Sequence, residues 1–328
     1  VDGCAAETLS LPAVAGGQIG PVGRPFSADV WDGCAAETRR TYASAWRGWI
    51  AHCARSGVRP LPADTADVAE FCRALERAGR KHATIAKHVA AIAWIHEGYG
   101  LRFDTHALKA VLRAIAQRIG TAKQGKAPLL TADVVKLVAT CEASPLGVRD
   151  RALLLLVYAS GVRRSNAVAL NLADIEWRRD GALLMLRRSK TDQQGAGLQV
   201  PVRYGDHERS CPLRALKAWV QQLSAGTVEA VTTGPVFRPI RGRHILARRL
   251  TGQMVWETVK RRCKAAGLDP APFGAHSLRS GHATQADENG AQLADTQKQL
   301  GHKKIDTTAV YVKPTDSLRR STSGKLGL

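Results

Sequence analysis

The chain lacks any C-x-x-C pair. Its seven cysteines, Cys4, Cys34, Cys53, Cys72, Cys141, Cys211 and Cys263, are scattered and odd in number. That argues against a zinc site and against a secreted disulfide framework. It leaves them as small buried side chains in a reducing compartment. The start of the chain has no charged n-region followed by an apolar stretch. The longest apolar run, 152–159, is too short to span a bilayer. No membrane partner is expected, and a cytoplasmic location is. Acidic side chains are also scarce: 28 Asp and Glu stand against 48 Lys and Arg, a formal net charge of +20. The basic residues are spread along the whole chain, with no isolated amphipathic anchor helix. Nucleic acid is therefore the implied polyanionic partner.

A length of 328 residues suggests about two domains, each able to bury its own core. Residues 1–31 are rich in Gly, Pro and Ala without period and read as a flexible tail. The heptapeptide Asp-Gly-Cys-Ala-Ala-Glu-Thr occurs at 2–8 and again at 32–38. It is too short for a structural repeat and carries no assigned function. Residues 32–120 are predicted to form a bundle of four short helices. Tyr42, Trp46, Trp49, Ile50 and Cys53 form the apolar stripe of the first. Asp64 or Thr65 caps the second, which ends at Gly79. Ile85, Val89 and Ile92 mark the third, and a fourth runs from about Asp104 to Arg118. Residues 121–130 read as an interdomain linker. A second domain, 131–328, follows: Thr131 caps a helix, a buried helix leads to Arg163, and a hairpin spans about 182–202. Helices are predicted near 212–224, 248–266, 276–290 and 292–300, and a last one carries Tyr311 and stops before Pro314. The fold class is mainly α with a small antiparallel β-sheet.

The chemistry lies in residues far apart in sequence. Arg163 follows Ser160-Gly161-Val162, Lys190 sits between two strands, and His276-Ser-Leu-Arg279 opens a helix. Leu300-Gly301-His302 and then Tyr311 come next. Cleaving a phosphodiester requires charge stabilisation on two non-bridging oxygens, an activated nucleophile and a proton for the leaving oxygen. The planar fork of arginine serves the first need, tyrosine can act as a covalent nucleophile, and lysine or histidine can be the general acid. Of the five tyrosines, Tyr42 lies on a core stripe, Tyr99 at a helix end, Tyr158 in a buried run and Tyr204 in a polar turn. Only Tyr311 follows both histidine motifs. Each motif is weak alone; the ordered set on a basic chain is specific.

From about residue 35 to its end the chain resembles the tyrosine recombinases of the phage integrase family, closest in layout to Cre-like recombinases. The resemblance implies a two-domain DNA clamp, with an N-terminal helical core-binding domain and a DNA breaking-rejoining catalytic domain. It implies that Tyr311 attacks the scissile phosphate to give a 3′-phosphotyrosine and a free 5′-hydroxyl. Arg163 and Arg279 would hold the phosphate and His302 would donate a further hydrogen bond. Lys190 would protonate the leaving oxygen, and His276 would handle the tyrosine proton or a phosphate contact. No metal, ATP or other cofactor is implied. One position departs from the family: Asn166 stands where Glu or Asp is usual. The implied partners are double-stranded DNA with short inverted-repeat sites and a homotetramer on two sites, a dimer on each. The setting would be the nucleoid of a bacterium or phage-infected cell. The region before Asp32 reads as too short for an additional arm-binding domain. Candidate DNA contacts are Arg39 and Arg40, then Arg80, Lys81, His82 and Lys87 on the third helix, and Arg241, Arg243, Arg248 and Arg261 in the basic stretch 238–264. Rival readings are a type IB topoisomerase and a non-catalytic DNA-binding protein on the same fold. A metal hydrolase using His276 and His282 is excluded by a six-residue spacing that puts the two on different helix faces.

Overall fold

The computed structural model describes residues 26–122, 125–187, 197–224 and 231–309. The chain divides into two compact units, one running to Gln124 and the other starting at Gly125. Among the described residues no helix is long and apolar enough to cross a membrane.

The first unit is helical throughout. α1 (Ala28–Asp32) is a short turn whose cap, Ser27, accepts a hydrogen bond from the Val30 amide. α2 (Ala36–Ser56) buries Trp46, Trp49 and Cys53 along the stripe that the 3–4 spacing predicts. The Trp49 indole donates to the Pro60 carbonyl at 3.0 Å, so its own burial strands no donor, whereas the Trp46 indole N–H is buried without a partner. α3 (Thr65–Arg77) starts at Asp64, whose carboxylate accepts from the Ala66 amide at 2.7 Å. α4 (His82–Gly98) brings Ile85, Val89, Ile92 and Ile95 to the same core, and α5 (His106–Ile119) adds Leu108 and Ile115.

The tail expected through residue 31 ends earlier. Phe26 is buried, with its ring centroid 5.1 Å from Trp94 and 5.3 Å from Tyr99. It lies flat on Gly98, where a Cβ would come within 2.0 Å of the ring. Seating one aromatic side chain stabilises by roughly 2 kcal/mol, which offsets the ordering of the short turn that follows it.

The second unit opens with α6 (Thr131–Ala139) and α7 (Pro145–Ser160). Residues 152–157 of α7 are all buried, as a helix apolar on every side must be. α8 (Arg164–Ala169) leads into a three-stranded antiparallel sheet of β1 (Ile175–Arg178), β2 (Gly181–Leu186) and β3 (Leu198–Arg203), in the order β1-β2-β3. Leu184 pairs with Ile175 on one side and Val200 on the other. Ala182, Leu184, Leu186, Val200 and Val202 point into the core. The sequence predicts the β2–β3 hairpin but not β1, whose outward Glu176, Trp177 and Arg178 leave Ile175 as its only buried residue. α9 (Pro212–Ser224) and a minimal hairpin of β4 (Ile240–Arg241) and β5 (His244–Ile245) follow. α10 (Gly252–Ala265), α11 (Ala275–Glu288), α12 (Leu293–Leu300) and α13 (Ile305–Ala309) complete the described part.

Three local expectations are corrected. Thr131 does not cap α6; Leu130 is the cap residue, and the Asp133 carboxylate accepts from its amide at 3.2 Å. Thr131 is instead the first helical residue, its hydroxyl 2.8 Å from the Tyr158 phenol. The linker also ends before 130. Ala127 donates to Pro272 O and Leu129 to Ser277 O, and the Leu129 side chain is fully buried. The Leu129 carbonyl lies against α11 at Gly281, where a Cβ would sit 1.8 Å from it. Lastly, Cys34 is partly exposed, while the other described cysteines are buried.

Candidate active site

The C-terminus of α7 sets the first element. Its last carbonyls need partners that the helix cannot supply. Gly161, at φ 64°, turns the chain so that its amide donates to Val157 O and Tyr158 O. A side chain is excluded there twice over, by the positive φ and by space: a Cβ would lie 2.6 Å from Leu300 and 3.0 Å from His282. The turn brings Arg163 into extended backbone as the cap residue of α8, with its side chain half-buried.

Arg279, on the first turns of α11, is buried at 2% exposure. Its guanidinium is spread over three acceptors from two segments distant in sequence. Nη1 donates to Gly161 O at 2.6 Å, and Nη2 donates to Leu300 O at 2.8 Å and to His302 Nε2 at 2.6 Å. One side chain thereby fixes the Arg163 turn, the end of α12 and His302 relative to one another. Gly301, at φ 63°, closes α12 and leaves His302 directly behind it. The Gly301 backbone packs on Leu198, the first residue of β3, where a Cβ would be 2.5 Å from the side chain.

The hydrogen bonds assign the His302 tautomer. Arginine only donates, so Nε2 accepts and Nδ1 carries the proton. Nδ1–H then donates to the Thr308 hydroxyl at 2.8 Å. Burial, followed by the charges of Arg279 and Arg163 and by His276, lowers the His302 pKa from 6.5 to about 4. His276, at the open end of α11, is lowered too, first by partial desolvation and then by Arg279 and Arg163. With Arg279 bonded to the Gly161 turn and to His302, the four residues Arg163, His276, Arg279 and His302 lie within electrostatic reach of one another, and both imidazoles are held below their ordinary pKa.

A stability consequence follows. A histidine whose folded pKa is depressed favours folding fully above its unfolded value of about 6.5 and loses that contribution as pH falls toward the folded value. Thermal midpoints are therefore expected to drop between pH 6.5 and about 4. His302→Gln should flatten part of that slope in a pH series of thermal unfolding; an unchanged slope would refute the assignment.

Asn166 sits on α8 and is buried; its side-chain oxygen accepts from the Ser165 hydroxyl at 3.5 Å. Lys190 and Tyr311, two of the six candidate catalytic residues, lie outside the described residues. Thr308, His282 and Gln299 were not anticipated. His282 Nδ1 is bonded to Tyr158 O at 2.9 Å beneath the Gly161 turn, and Gln299 donates to Ser160 O and Pro201 O. Their only sequence signal was proximity to the motifs.

The candidate DNA-contacting residues divide. Arg80, Lys81 and Lys87 are exposed around the start of α4, with His82 half-buried at its first position. Arg241, Arg243 and Arg248 are exposed on and after the β4–β5 hairpin. Arg39 instead lies 4.7 Å over the Trp31 ring and donates to Trp31 O, Arg40 pairs with Glu37 at 2.9 Å, and Arg261 pairs with Asp150 at 2.7 Å. Among the described residues no cluster of three or more His, Cys, Asp or Glu could hold a metal ion.

Comparison with known proteins identifies the family. The family described as "Phage integrase family" matches residues 128–317. The chain is 30% identical over 286 residues to an integrase/recombinase XerD homologue of Selenomonas ruminantium, covering 85% of this chain and 82% of the relative. It is 30% identical over 293 residues to the tyrosine recombinase XerD of Bifidobacterium longum, covering 85% and 87%. Among solved structures, the XerH site-specific recombinase in a post-cleavage complex with a palindromic difH substrate superposes with a TM-score of 0.62 at 16% identity, covering 90% of this chain and 81% of that one. A lambda integrase dimer bound to a COC′ core site superposes with a TM-score of 0.55 at 18% identity, covering 86% and 73%. These two likenesses are of fold.

Proposed function

The chain belongs to the phage integrase family and is a tyrosine-type enzyme of site-specific DNA recombination; we propose that Tyr311 is its nucleophile and that Arg163, Lys190, His276, Arg279 and His302 serve the scissile phosphate. The observation that carries this reading is the convergence of Arg163, Arg279, His276 and His302 from three separate segments. Chain connectivity supports the remaining two. Tyr311 is three residues beyond Thr308, a reach of at most about 10 Å, and Thr308 is bonded to His302. Lys190 belongs to the connection that ends at Leu198, the residue packed on Gly301.

In this mechanism the Tyr311 phenolic oxygen attacks the scissile phosphorus. The bond to the 5′ oxygen breaks and a 3′-phosphotyrosine forms. His276 takes the phenolic proton, and Lys190 gives one to the leaving 5′ oxygen. Arg163 and Arg279 stabilise the charge that develops on the non-bridging oxygens. The 5′-hydroxyl of the partner strand then attacks the phosphotyrosine and releases the phenol. Each step exchanges one phosphoester for another, so the cycle conserves bond energy and requires no nucleoside triphosphate.

The reading extends to assembly and binding. The unit ending before the linker acts as the core-binding domain, with Arg80, Lys81 and Lys87 on the backbone or groove of the duplex. The second unit is the catalytic domain, with Arg241, Arg243 and Arg248 as further contacts. Phosphate contacts make affinity steeply salt-dependent. The target is a pair of short inverted-repeat sites, a dimer on each, joined as a tetramer.

A nicked suicide duplex tests the reading. The wild-type chain is expected to form a covalent protein–DNA adduct that Tyr311→Phe does not form. An adduct that survives in Tyr311→Phe, or none from the wild type on its own site, would overturn it. Asn166 yields a second expectation. Asn166→Asp adds a negative charge close to the arginines, which should raise the His302 pKa and leave cleavage within about threefold of wild type. A loss of more than about tenfold would show that the neutral amide is required.

A further inference from the structure

We propose that Thr308 is a positioning residue of this site: its hydroxyl holds Nδ1 of His302 whether that nitrogen donates or accepts, and ties the segment leading to Tyr311 to the phosphate clamp. The inference rests on the functional reading above and deepens it. Thr308 is fully buried, although it lies on the short α13, among exposed Asp306, Thr307 and Ala309. Its Oγ1 is 2.8 Å from His302 Nδ1, and the opposite nitrogen is 2.6 Å from Arg279 Nη2. The line Thr308–His302–Arg279–Gly161 therefore runs unbroken from the segment before Tyr311 to the turn that bears Arg163.

In the DNA-free state Arg279 donates to His302 Nε2, so that nitrogen cannot donate to anything else. A phosphate binding between the arginines would compete for the same Arg279 hydrogen. For His302 to donate to the phosphate, Nε2 must gain a proton and Nδ1 must lose one, exchanged through water with no net change in charge. Nδ1 then needs a donor in place of an acceptor. A hydroxyl supplies both, because rotation about its C–O bond turns it from acceptor into donor. Few side chains of this size could serve the two states: valine offers neither, whereas serine offers both.

The same bond fixes geometry. Tyr311 is three residues beyond Thr308 in the chain, so the position of α13 limits where the phenol can be delivered. Misplacing a reacting group by about 1 Å can cost on the order of a hundredfold in rate.

Two variants and two measurements test this on the full chain. Thr308→Val keeps the shape and removes the hydroxyl; Thr308→Ser keeps the hydroxyl. Imidazole nitrogen-15 and proton spectra of the DNA-free protein should show His302 as the Nδ1–H tautomer in all three, with the Nδ1–H proton hydrogen-bonded and slow to exchange in wild type and Thr308→Ser and fast to exchange in Thr308→Val. Single-turnover cleavage of a nicked suicide duplex should slow by about 10- to 100-fold in Thr308→Val, with DNA affinity changed less than about twofold. Thr308→Ser should stay within about fivefold of wild type. A Val variant that cleaves at the wild-type rate, a Ser variant as slow as Val, or an Nδ1–H that stays protected in Val would each overturn the proposal. Should Val fail to fold, cleavage by Ser below about a tenth of wild type overturns it alone. Failure of the broader reading is distinct: the wild type itself would then give no Tyr311-dependent adduct, while the imidazole spectra would still report on the Thr308 bond.

Discussion

Arg279→Lys is expected to slow strand cleavage by about a thousandfold, close to 4 kcal/mol of transition-state stabilisation, while DNA affinity falls by less than about tenfold. The charge is kept, so the electrostatic pull on the duplex is kept. What is lost is the fork. The guanidinium reaches Gly161 O, Leu300 O and His302 Nε2 at once, from 2.6 to 2.8 Å. A lysine ends in one nitrogen and cannot span three acceptors on two segments while also meeting two phosphate oxygens. Two carbonyls at helix ends would then lose a donor inside the protein, and the Arg163 turn would lose its tie to α11. The cost should appear in the rate of adduct formation on a suicide duplex, with binding followed separately by fluorescence anisotropy. Equal losses in affinity and rate would mean that Arg279 acts chiefly by binding. A loss below about tenfold in rate would mean that its geometry is dispensable.

Much of this site could be read in the sequence because its requirements are local. Ser160-Gly161-Val162-Arg163 announces a helix that stops in left-handed backbone and projects a cation, and the structure shows why only glycine fits. His276 and Arg279 lie three apart on one helix, and Leu300-Gly301-His302 repeats the stop-and-project device. What stayed hidden depends on partners distant in sequence. Leu129 reads as linker because Gly and Pro surround it, yet its burial is decided by Gly281, more than a hundred residues later. Phe26 follows a Gly/Pro-rich stretch, and only the bare Gly98 surface gives it a slot. Thr308 carries no motif, since a hydroxyl becomes informative only once His302 is seen beside it. The basic stretch 238–264 misled in another way. It reads as a mixture of DNA contacts and surface charges, but Arg249 is bonded to Val168 O, Leu170 O and Asn171, and Arg262 is buried. Periodicity shows where a cation can point and is blind to an acid a hundred residues away.

That acid is Asp150, and its removal should produce the largest loss of stability of any single charge in the second unit. The carboxylate is fully buried near the start of α7. Arg149 donates to Oδ1 through Nε at 3.2 Å and Nη2 at 2.7 Å. On Oδ2 converge Arg261 Nη2 at 2.7 Å and Arg262 Nε at 2.9 Å. Arg262 also donates to Thr140 O, so α7 and α10 are held together with the end of α6. Asp150→Ala leaves the buried guanidiniums of Arg149 and Arg262 without their shared buried counter-charge, and Arg262 keeps only the exposed Glu142 at 3.4 Å. Removing one partner of a buried ionic group costs about 3–5 kcal/mol, or a fall of roughly 10 °C for a domain of this size. Asp150→Asn should fall nearly as far, because an amide nitrogen would present hydrogens to groups that only donate. The double variant Asp150→Asn/Arg262→Met should recover part of the loss, since it removes a charge along with its partner; additive losses would contradict the network. The effect should spare the chemistry. The Gly161 end of α7 lies roughly 15 Å along the helix from Asp150, so the folded variant at low temperature should form the covalent adduct at close to the wild-type rate. Urea unfolding and low-temperature cleavage on the same preparation would separate the two. A stable but inactive Asp150→Ala would show that the cluster instead sets the position of Arg163.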